Sequence, residues 1–170
     1  MKRYFLLLLT VAALFSSCKQ NNWLDWKAQN EMWLASNKTQ PGVKTTSSGL
    51  QYRIIADPLA GQGDASPNST STIVCDYSLR LINGTVIETA NNASLYLAQM
   101  IPGFTEGCRK IHNHGDIELY IPAYLGYDYS QYQSGSYGSA EGNGTEGGSR
   151  YIPPFSTLIF TIHICSISGN

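Results

Sequence analysis

The chain has 170 residues, 11 Lys and Arg against 12 Asp and Glu, and a formal net charge of −1. This length is enough for one domain of ordinary size plus a tail, and a hydrophobic fraction of 42% is enough to give that domain a core. No basic cluster stands out against the near-neutral charge, so we predict no nucleic-acid partner.

The N-terminus has the pattern of an export signal. Two basic residues precede an apolar run over residues 4–15, which is too short to cross a bilayer as a stable helix. Two serines then precede Cys18, and this arrangement resembles a bacterial lipoprotein signal. We therefore expect residues 1–17 to be a cleaved signal peptide and Cys18 to be lipidated, which anchors the protein to a membrane of the cell envelope on its periplasmic or surface side. An ordinary signal peptide ending near Ser17 is the alternative.

Three cysteines remain if Cys18 carries lipid. Strand alternation points Cys75 toward the core, and Cys108 lies on the apolar stripe of a short helix, whereas Cys165 has outward parity. A Cys75–Cys108 disulfide and two buried free thiols are both compatible with this pattern. Because the chain has no Cys-x-x-Cys motif and no Cys/His cluster, we predict no metal site.

Residues 22–37 predict a helix, since no Pro or Gly interrupts them and Asn21 or Asn22 can cap it. A helix that is apolar on two sides has two surfaces to contact. One would be its own domain, and the other a second copy of the chain, giving a homodimer, or the membrane interface. Alternatively, the Trp stripe packs on the domain and the other face is exposed. The two stripes consist of Leu24, Ala28, Met32 and Ala35, and of Trp23, Trp26 and Trp33.

Residues 38–48 predict a linker, so that 18–48 form a lipid-anchored helical tail and 49–170 form the domain. Asn83-Gly84 is a strong hairpin signal, and we expect Asn91-Asn92 to form a second turn. Asp116 and Glu118 are expected to be surface charges. The strands are predicted over residues 50–56, 72–82, 85–89, 95–100, 117–121 and 157–167.

The domain has one predicted core helix, which begins near Pro102, where a missing N–H costs nothing. Phe104, Cys108 and Ile111 recur at helical spacing and form one apolar stripe, which must bury itself against the strands. We therefore predict an α+β fold in which a curved antiparallel β-sheet wraps around one short helix and carries an N-terminal helical tail.

Four motifs, in the same order along the chain, resemble FKBP-type peptidyl-prolyl cis-trans isomerases. The likeness extends from about residue 39 to residue 168, and it implies the FKBP-like fold. The motifs are Gly49–Tyr52, the segment from Tyr77 through Asn83–Glu88, Ile101–Gly107 and Tyr151–Phe160.

The resemblance also implies an apolar pocket for a proline ring. Phe104 would form its floor, and Tyr77 and Phe160 its walls. The backbone N–H of Ile101 and the hydroxyl of Tyr127 would meet substrate carbonyls. Three further residues, Ile87, Met100 and Ile152, would complete the lining, with Glu88 beside them.

This chain departs from the family pattern at three of these positions. Phe104 stands where the family usually has Trp, Ile87 where it has Phe, and Glu88 where it has Asp. The pocket should therefore be roomier than usual.

The implied function is isomerisation of prolyl bonds in exported polypeptides during folding, with no cofactor. A catalytically weak peptide-binding or chaperone module on the cell envelope is the alternative. Residues 128–150 form a long insertion rich in Gly, Ser and Tyr, which is either a recognition loop or a solvated insertion.

Overall fold

The structure is a computed structural model, and it describes residues 23–62, 66–127 and 152–169. The helices are α1 (Trp23–Asn37) and α2 (Pro102–Cys108), with 3-10 turns at Leu97–Gln99 and Ala123–Leu125. The strands are β1 (Lys44–Thr45), β2 (Gln51–Ala56), β3 (Thr72–Arg80), β4 (Val86–Tyr96), β5 (Asp116–Ile121) and β6 (Leu158–Ser168). No helix among the described residues is both long and apolar enough to cross a membrane.

The six strands form one antiparallel sheet in the order β1-β2-β5-β6-β3-β4. In β5, Ile117, Leu119 and Ile121 are fully buried on the face that packs against α2, which we call the inner face. Glu118 and Tyr120 lie on the opposite, outer face. This alternation confirms the predicted sheet around a short helix.

Close packing brings α2 onto the inner face. A methyl group at Gly107 would lie 2.4 Å from both Cδ atoms of Leu119, and one at Gly103 would lie 2.4 Å from Cγ2 of Ile121. Only glycine permits this approach, because a Cβ atom would overlap the β5 side chains. The close approach of the helix therefore buries Phe104 in the core, where its side chain has no exposed surface.

The tail helix α1 packs on the outer face of the sheet. The ring of Trp33 lies 5.7 Å from that of Tyr120, centroid to centroid. Asn37 Nδ2 donates to Gln51 Oε1 at 2.9 Å, and Gln51 Nε2 donates to the Leu34 carbonyl at 3.0 Å. Both amide side chains are buried, so these bonds tie the helix to β2 without exposure to water.

The opposite side of α1 faces solvent, where Leu24 and Met32 are 73% and 71% exposed. The side of α1 that carries Trp26 and Trp33 thus packs on the helix's own domain, which confirms this one of its predicted contacts.

Three local predictions were wrong. Asn91-Asn92 is not a turn, because β4 runs continuously through it with a bulge at which Asn92 has φ 51°. The Asn92 N–H donates to Asp76 Oδ1 on the paired strand at 2.7 Å, which holds the bulge against β3. Residues Leu97–Gln99 form a 3-10 turn where a strand was expected, and Lys44–Thr45 pair with β2 inside the predicted linker.

The three described cysteines are free thiols. Cys75 and Cys108 are buried, as predicted, and Cys165 is half-buried. Burial raises the pKa of Cys75 to about 12, so its thiol stays neutral and behaves as a small core side chain.

Glu118 is not the ordinary surface charge that the sequence predicted. It accepts hydrogen bonds from Arg53 Nε at 3.1 Å and from the Tyr120 hydroxyl at 2.8 Å, and Arg80 Nη2 lies 3.7 Å away. Only 13% of its side chain is exposed. Glu118 is thus the centre of a charged network that joins three strands across the outer face.

Candidate functional site

The inner face carries a group of three contacting aromatic rings, Tyr77, Phe104 and Phe160, which we call the aromatic cluster. Phe104 and Phe160 have centroids 5.1 Å apart, and Tyr77 lies 6.0 Å from Phe160 and 6.4 Å from Phe104. The Phe104 ring meets both partners nearly edge-on, which is a favourable arrangement of aromatic quadrupoles. The structure therefore brings together the three aromatic residues predicted from the sequence.

Each ring comes from a different element. Strand β3 supplies Tyr77, its neighbour β6 supplies Phe160, and α2 supplies Phe104. The register that pairs Leu79 with Phe160 and Tyr77 with Ile162 fixes the first two rings on the same face of the sheet. The cluster thus depends on pairing between β3 and β6 and on the close seating of α2.

A polar contact joins the cluster to β4. The Tyr77 hydroxyl donates to Glu88 Oε1 at 2.8 Å, so the longer acidic side chain at this position still reaches the tyrosine. Burial, followed by this hydrogen bond, raises the pKa of Tyr77 above its ordinary value. The hydroxyl therefore stays protonated and neutral at physiological pH.

The remaining predicted lining residues surround the same core. All five are half-buried and pack against it. Cys18, the predicted lipidation site, lies outside the described residues. The half-buried residues are Ile87, Met100, Ile101, Tyr127 and Ile152.

One set of contacts near the site was not predicted. The segment 153–157, which follows Ile152, is held by side chains of α1, including a hydrogen bond from Trp26 Nε1 to Ser156 Oγ at 3.0 Å. These two residues are 130 positions apart, and no sequence pattern links them. The tail helix thus contacts a segment that borders the site.

The arrangement suits binding of an apolar group more than acid–base or metal chemistry. The cluster consists of ring faces and one neutral hydroxyl. Among the described residues, no three His, Cys, Asp or Glu side chains are grouped so that they could hold a metal ion.

Comparison with known proteins adds two family matches. Residues 63–165 match the sequence model described as FKBP-type peptidyl-prolyl cis-trans isomerase. Residues 12–54 match a second one, described as the domain amino terminal to FKBP-type peptidyl-prolyl isomerase. The two matches together cover the tail helix and the sheet.

Individual relatives agree with these matches. The chain is 34% identical over 145 residues to the outer membrane protein MIP of Legionella longbeachae, covering 83% of this chain and 54% of that protein. It is 33% identical over 147 residues to FkpA of Escherichia coli, covering 84% and 47%. The chain thus spans about half the length of these curated relatives.

Solved structures confirm the FKBP-like fold. The crystal structure of FkpA from Escherichia coli aligns with a TM-score of 0.67 at 30% identity, over 85% of this chain and 60% of that one. A peptidyl-prolyl cis-trans isomerase from Pseudomonas syringae aligns with a TM-score of 0.65 at 22% identity, over 84% and 92%, which supports the fold alone.

Proposed function

This chain belongs to the FKBP-type peptidyl-prolyl cis-trans isomerase family, and we propose that it catalyses cis/trans isomerisation of prolyl bonds in exported polypeptides as they fold. The observation that carries the proposal is the aromatic cluster, in which Tyr77, Phe104 and Phe160 converge on one face of the sheet. The hydrogen bond from Tyr77 to Glu88 fixes the ring that stands nearest to solvent.

The chemistry requires no acid, base or nucleophile. Rotation about a peptide bond faces a barrier of about 18–20 kcal/mol because amide resonance must be broken. The twisted amide has lost that resonance and its charge separation, so it is less polar than either planar form. An apolar pocket therefore favours it relative to water, and each ~1.4 kcal/mol of such preference gives about a tenfold rate increase.

In this proposal the residues have distinct roles. Phe104 forms the base of the proline pocket, and Tyr77 and Phe160 form its sides. The Ile101 N–H and the Tyr127 hydroxyl hold substrate carbonyls, so that the amide is free to rotate between fixed ends. Three apolar side chains complete the lining, namely Ile87, Met100 and Ile152.

We place the protein in the bacterial cell envelope, attached by lipid on Cys18 after removal of residues 1–17, with residues 18–48 as the tail and 49–170 as the domain. Support comes from the pattern around Cys18 and from the name of the MIP relative, which is an outer membrane protein.

A homodimer through residues 22–37 is part of the proposal. The exposed face of α1 supports it, since Leu24 and Met32 lie two turns apart on that face and have no cover in a single chain.

One observation favours the alternative, a catalytically weak FKBP-like peptide-binding or chaperone module. Phe104 has no exposed surface, because Tyr77 and Phe160 cover it edge-on. A proline ring would reach the base of the pocket only if those two rings moved apart.

The test is the cis/trans exchange rate of short Xaa-Pro peptides with the full chain, measured by NMR exchange spectroscopy. We expect clear acceleration, and Tyr127→Phe should lower kcat/KM per folded molecule several-fold. A folded chain that binds the peptides without accelerating exchange would favour the binding module.

A further inference from the structure

The turn over residues 153–157 is held from outside by one face of α1. Trp26 Nε1 donates to Ser156 Oγ at 3.0 Å, and Ser156 Oγ donates in turn to the Pro153 carbonyl at 2.6 Å. One helical turn further along α1, Asn30 Oδ1 accepts the Thr157 N–H at 2.7 Å. The helix therefore holds the C-terminal end of the turn directly, and Ser156 links this end to Pro153 at its start.

These bonds are shielded from water. Asn30 is 2% exposed, and Ser156 and Thr157 are each 1% exposed. Without Asn30 the Thr157 N–H would be buried and without this acceptor, so the α1 side chain stabilises the turn in its observed position. Asn30 itself is oriented by its Nδ2, which donates to the Trp26 carbonyl at 2.8 Å.

The backbone of the turn also needs external support. Phe155 has φ 64°, in the left-handed region that side-chain-bearing residues rarely adopt. Such a conformation persists where surrounding contacts over-determine it. The Lys27 ammonium, on the same helix, lies 5.4 Å from the centre of the Phe155 ring and adds a cation–π contact at this residue.

The turn lies between two residues of the proposed site. Ile152 immediately precedes it and packs, half-buried, against the core. Strand β6 begins immediately after it, at Leu158, and carries Phe160 into the aromatic cluster. A displacement of the turn would therefore move the Ile152 side chain, whereas Phe160 is also held by pairing with β3 and β5.

We infer that α1 positions the rim of the isomerase site, with Trp26 and Asn30 as positioning residues that set the location of Ile152. The inference rests on the proposed function. A rim side chain contacts the residue beside the bound proline more than the rotating amide. Loss of the α1 contacts should therefore change the preference among Xaa-Pro peptides more than it changes the rate on the best of them.

The same helix supplies a matched control. Asn37 lies two helical turns further along α1 and makes its buried amide hydrogen bond to Gln51 on β2. Asn30→Ala and Asn37→Ala thus delete the same chemical group from the same helix, but only the first touches the turn.

The experiment measures kcat/KM of the full chain on a set of Xaa-Pro peptides with small, branched and aromatic Xaa. For Asn30→Ala we expect the ratio between the best and the worst peptide to change about fivefold or more, whereas Asn37→Ala should keep the wild-type ratio. Unfolding of part of the sample lowers kcat/KM by the same factor for every peptide, so the ratio between peptides separates a positioning effect from a loss of stability. Trp26→Phe, a milder change that removes only the indole N–H donor to Ser156, should shift the ratio in the same direction.

The outcomes are distinct. Equal ratios for wild type, Asn30→Ala and Trp26→Phe in an active protein would overturn this inference alone. If the folded wild type shows no acceleration, the ratio of peptide affinities replaces the ratio of rates and decides in the same way. A wild type that neither accelerates exchange nor binds the peptides would overturn the proposed function and this inference with it.

Discussion

The two faces of the sheet are covered by helices in different ways. On the inner face, two glycines let α2 lie close to β5, the contacts between helix and strand are apolar, and Phe104 packs against Tyr77 and Phe160. On the outer face, α1 is fastened by amide side chains and an indole N–H, and beside it lies the network around Glu118.

The difference separates chemistry from positioning. Hydrophobic packing on the inner face is non-directional and leaves an apolar environment, which is what a twisted amide requires. Hydrogen bonds on the outer face are directional, so they fix one docking position for the helix and one conformation for the turn it contacts. The face that should favour the transition state is thus separate from the face that holds the rim in place.

Neighbouring residues of β6 give the most direct test of this separation. Phe160 lies on the inner face and Ile159 on the outer face, and both are buried. Each substitution leaves a cavity, so Phe160→Ala should lower the free energy of unfolding by about 3–5 kcal/mol and Ile159→Ala by about 2–5 kcal/mol. Per folded molecule, Phe160→Ala should lower kcat/KM at least tenfold and Ile159→Ala less than about twofold. Urea unfolding combined with the exchange assay measures both quantities, and equal activity losses would remove the distinction between faces.

The next largest effect on stability is expected when a charge is removed from the outer face. Glu118→Gln leaves Arg53 and Arg80 without their carboxylate, and Glu118 itself is only 13% exposed. Because the arginine side chains are 41% and 39% exposed, solvent screens part of the loss, and we expect about 1–2 kcal/mol. Glu88→Gln, at an exposed carboxylate, is the control and should cost under about 0.5 kcal/mol. If Glu88→Gln destabilised the fold as much as Glu118→Gln or more, the outer network would not be a special source of stability.

Alkaline pH should weaken the outer face through Tyr120. Burial, and then the hydrogen bond to Glu118, raise the pKa of Tyr120 to about 12 from an ordinary value near 10. Between these values the unfolded chain loses a proton that the folded chain keeps. The free energy of unfolding therefore falls as the pH rises from about 10 to 12, and Tyr120 contributes up to about 1.4 kcal/mol per pH unit to this fall. Tyr120→Phe should make the unfolding free energy less steep in this window. An unchanged slope would mean that Tyr120 ionises equally easily in both states.

The smallest expected effect belongs to the hydrogen bond between Tyr77 and Glu88, which joins the aromatic cluster to β4. Tyr77→Phe removes the hydrogen bond to Glu88, which is exposed, so stability should change by no more than about 0.5 kcal/mol. The aromatic ring remains, and kcat/KM should fall only about threefold because the ring loses its orientation. Glu88→Gln keeps an acceptor for the hydroxyl and should lie between wild type and Tyr77→Phe. A loss of a hundredfold or more for Tyr77→Phe would assign the hydroxyl a direct part in the reaction.

The inner face could be predicted from the sequence because its signals are local. Ile117, Leu119 and Ile121 alternate along one strand, and Phe104 and Cys108 are spaced for one side of a helix, so burial follows from periodicity. The four family motifs also lie on elements that form this face. Both the sheet around α2 and the three rings of the aromatic cluster were therefore predictable.

The outer face could not be predicted in the same way, since its contacts join residues distant in sequence. Nothing beside Glu118 shows that Arg53 and Arg80 converge on it from other strands. Asn30 looks like a solvated helix residue, and its burial depends on a backbone N–H 127 positions away. At Asn91-Asn92 the turn propensity is real, as the positive φ of Asn92 shows, but pairing with β3 converts it into a bulge.

The pH dependence of catalysis tests the central claim most directly. An apolar site that favours the twisted amide uses no titrating group, and the Tyr77 hydroxyl stays neutral because its pKa is raised. The full chain should therefore accelerate Xaa-Pro exchange with a kcat/KM that is constant from about pH 6 to pH 9. Absence of acceleration in the folded chain, or a kcat/KM that rises or falls with a single ionisation in this range, would contradict the account.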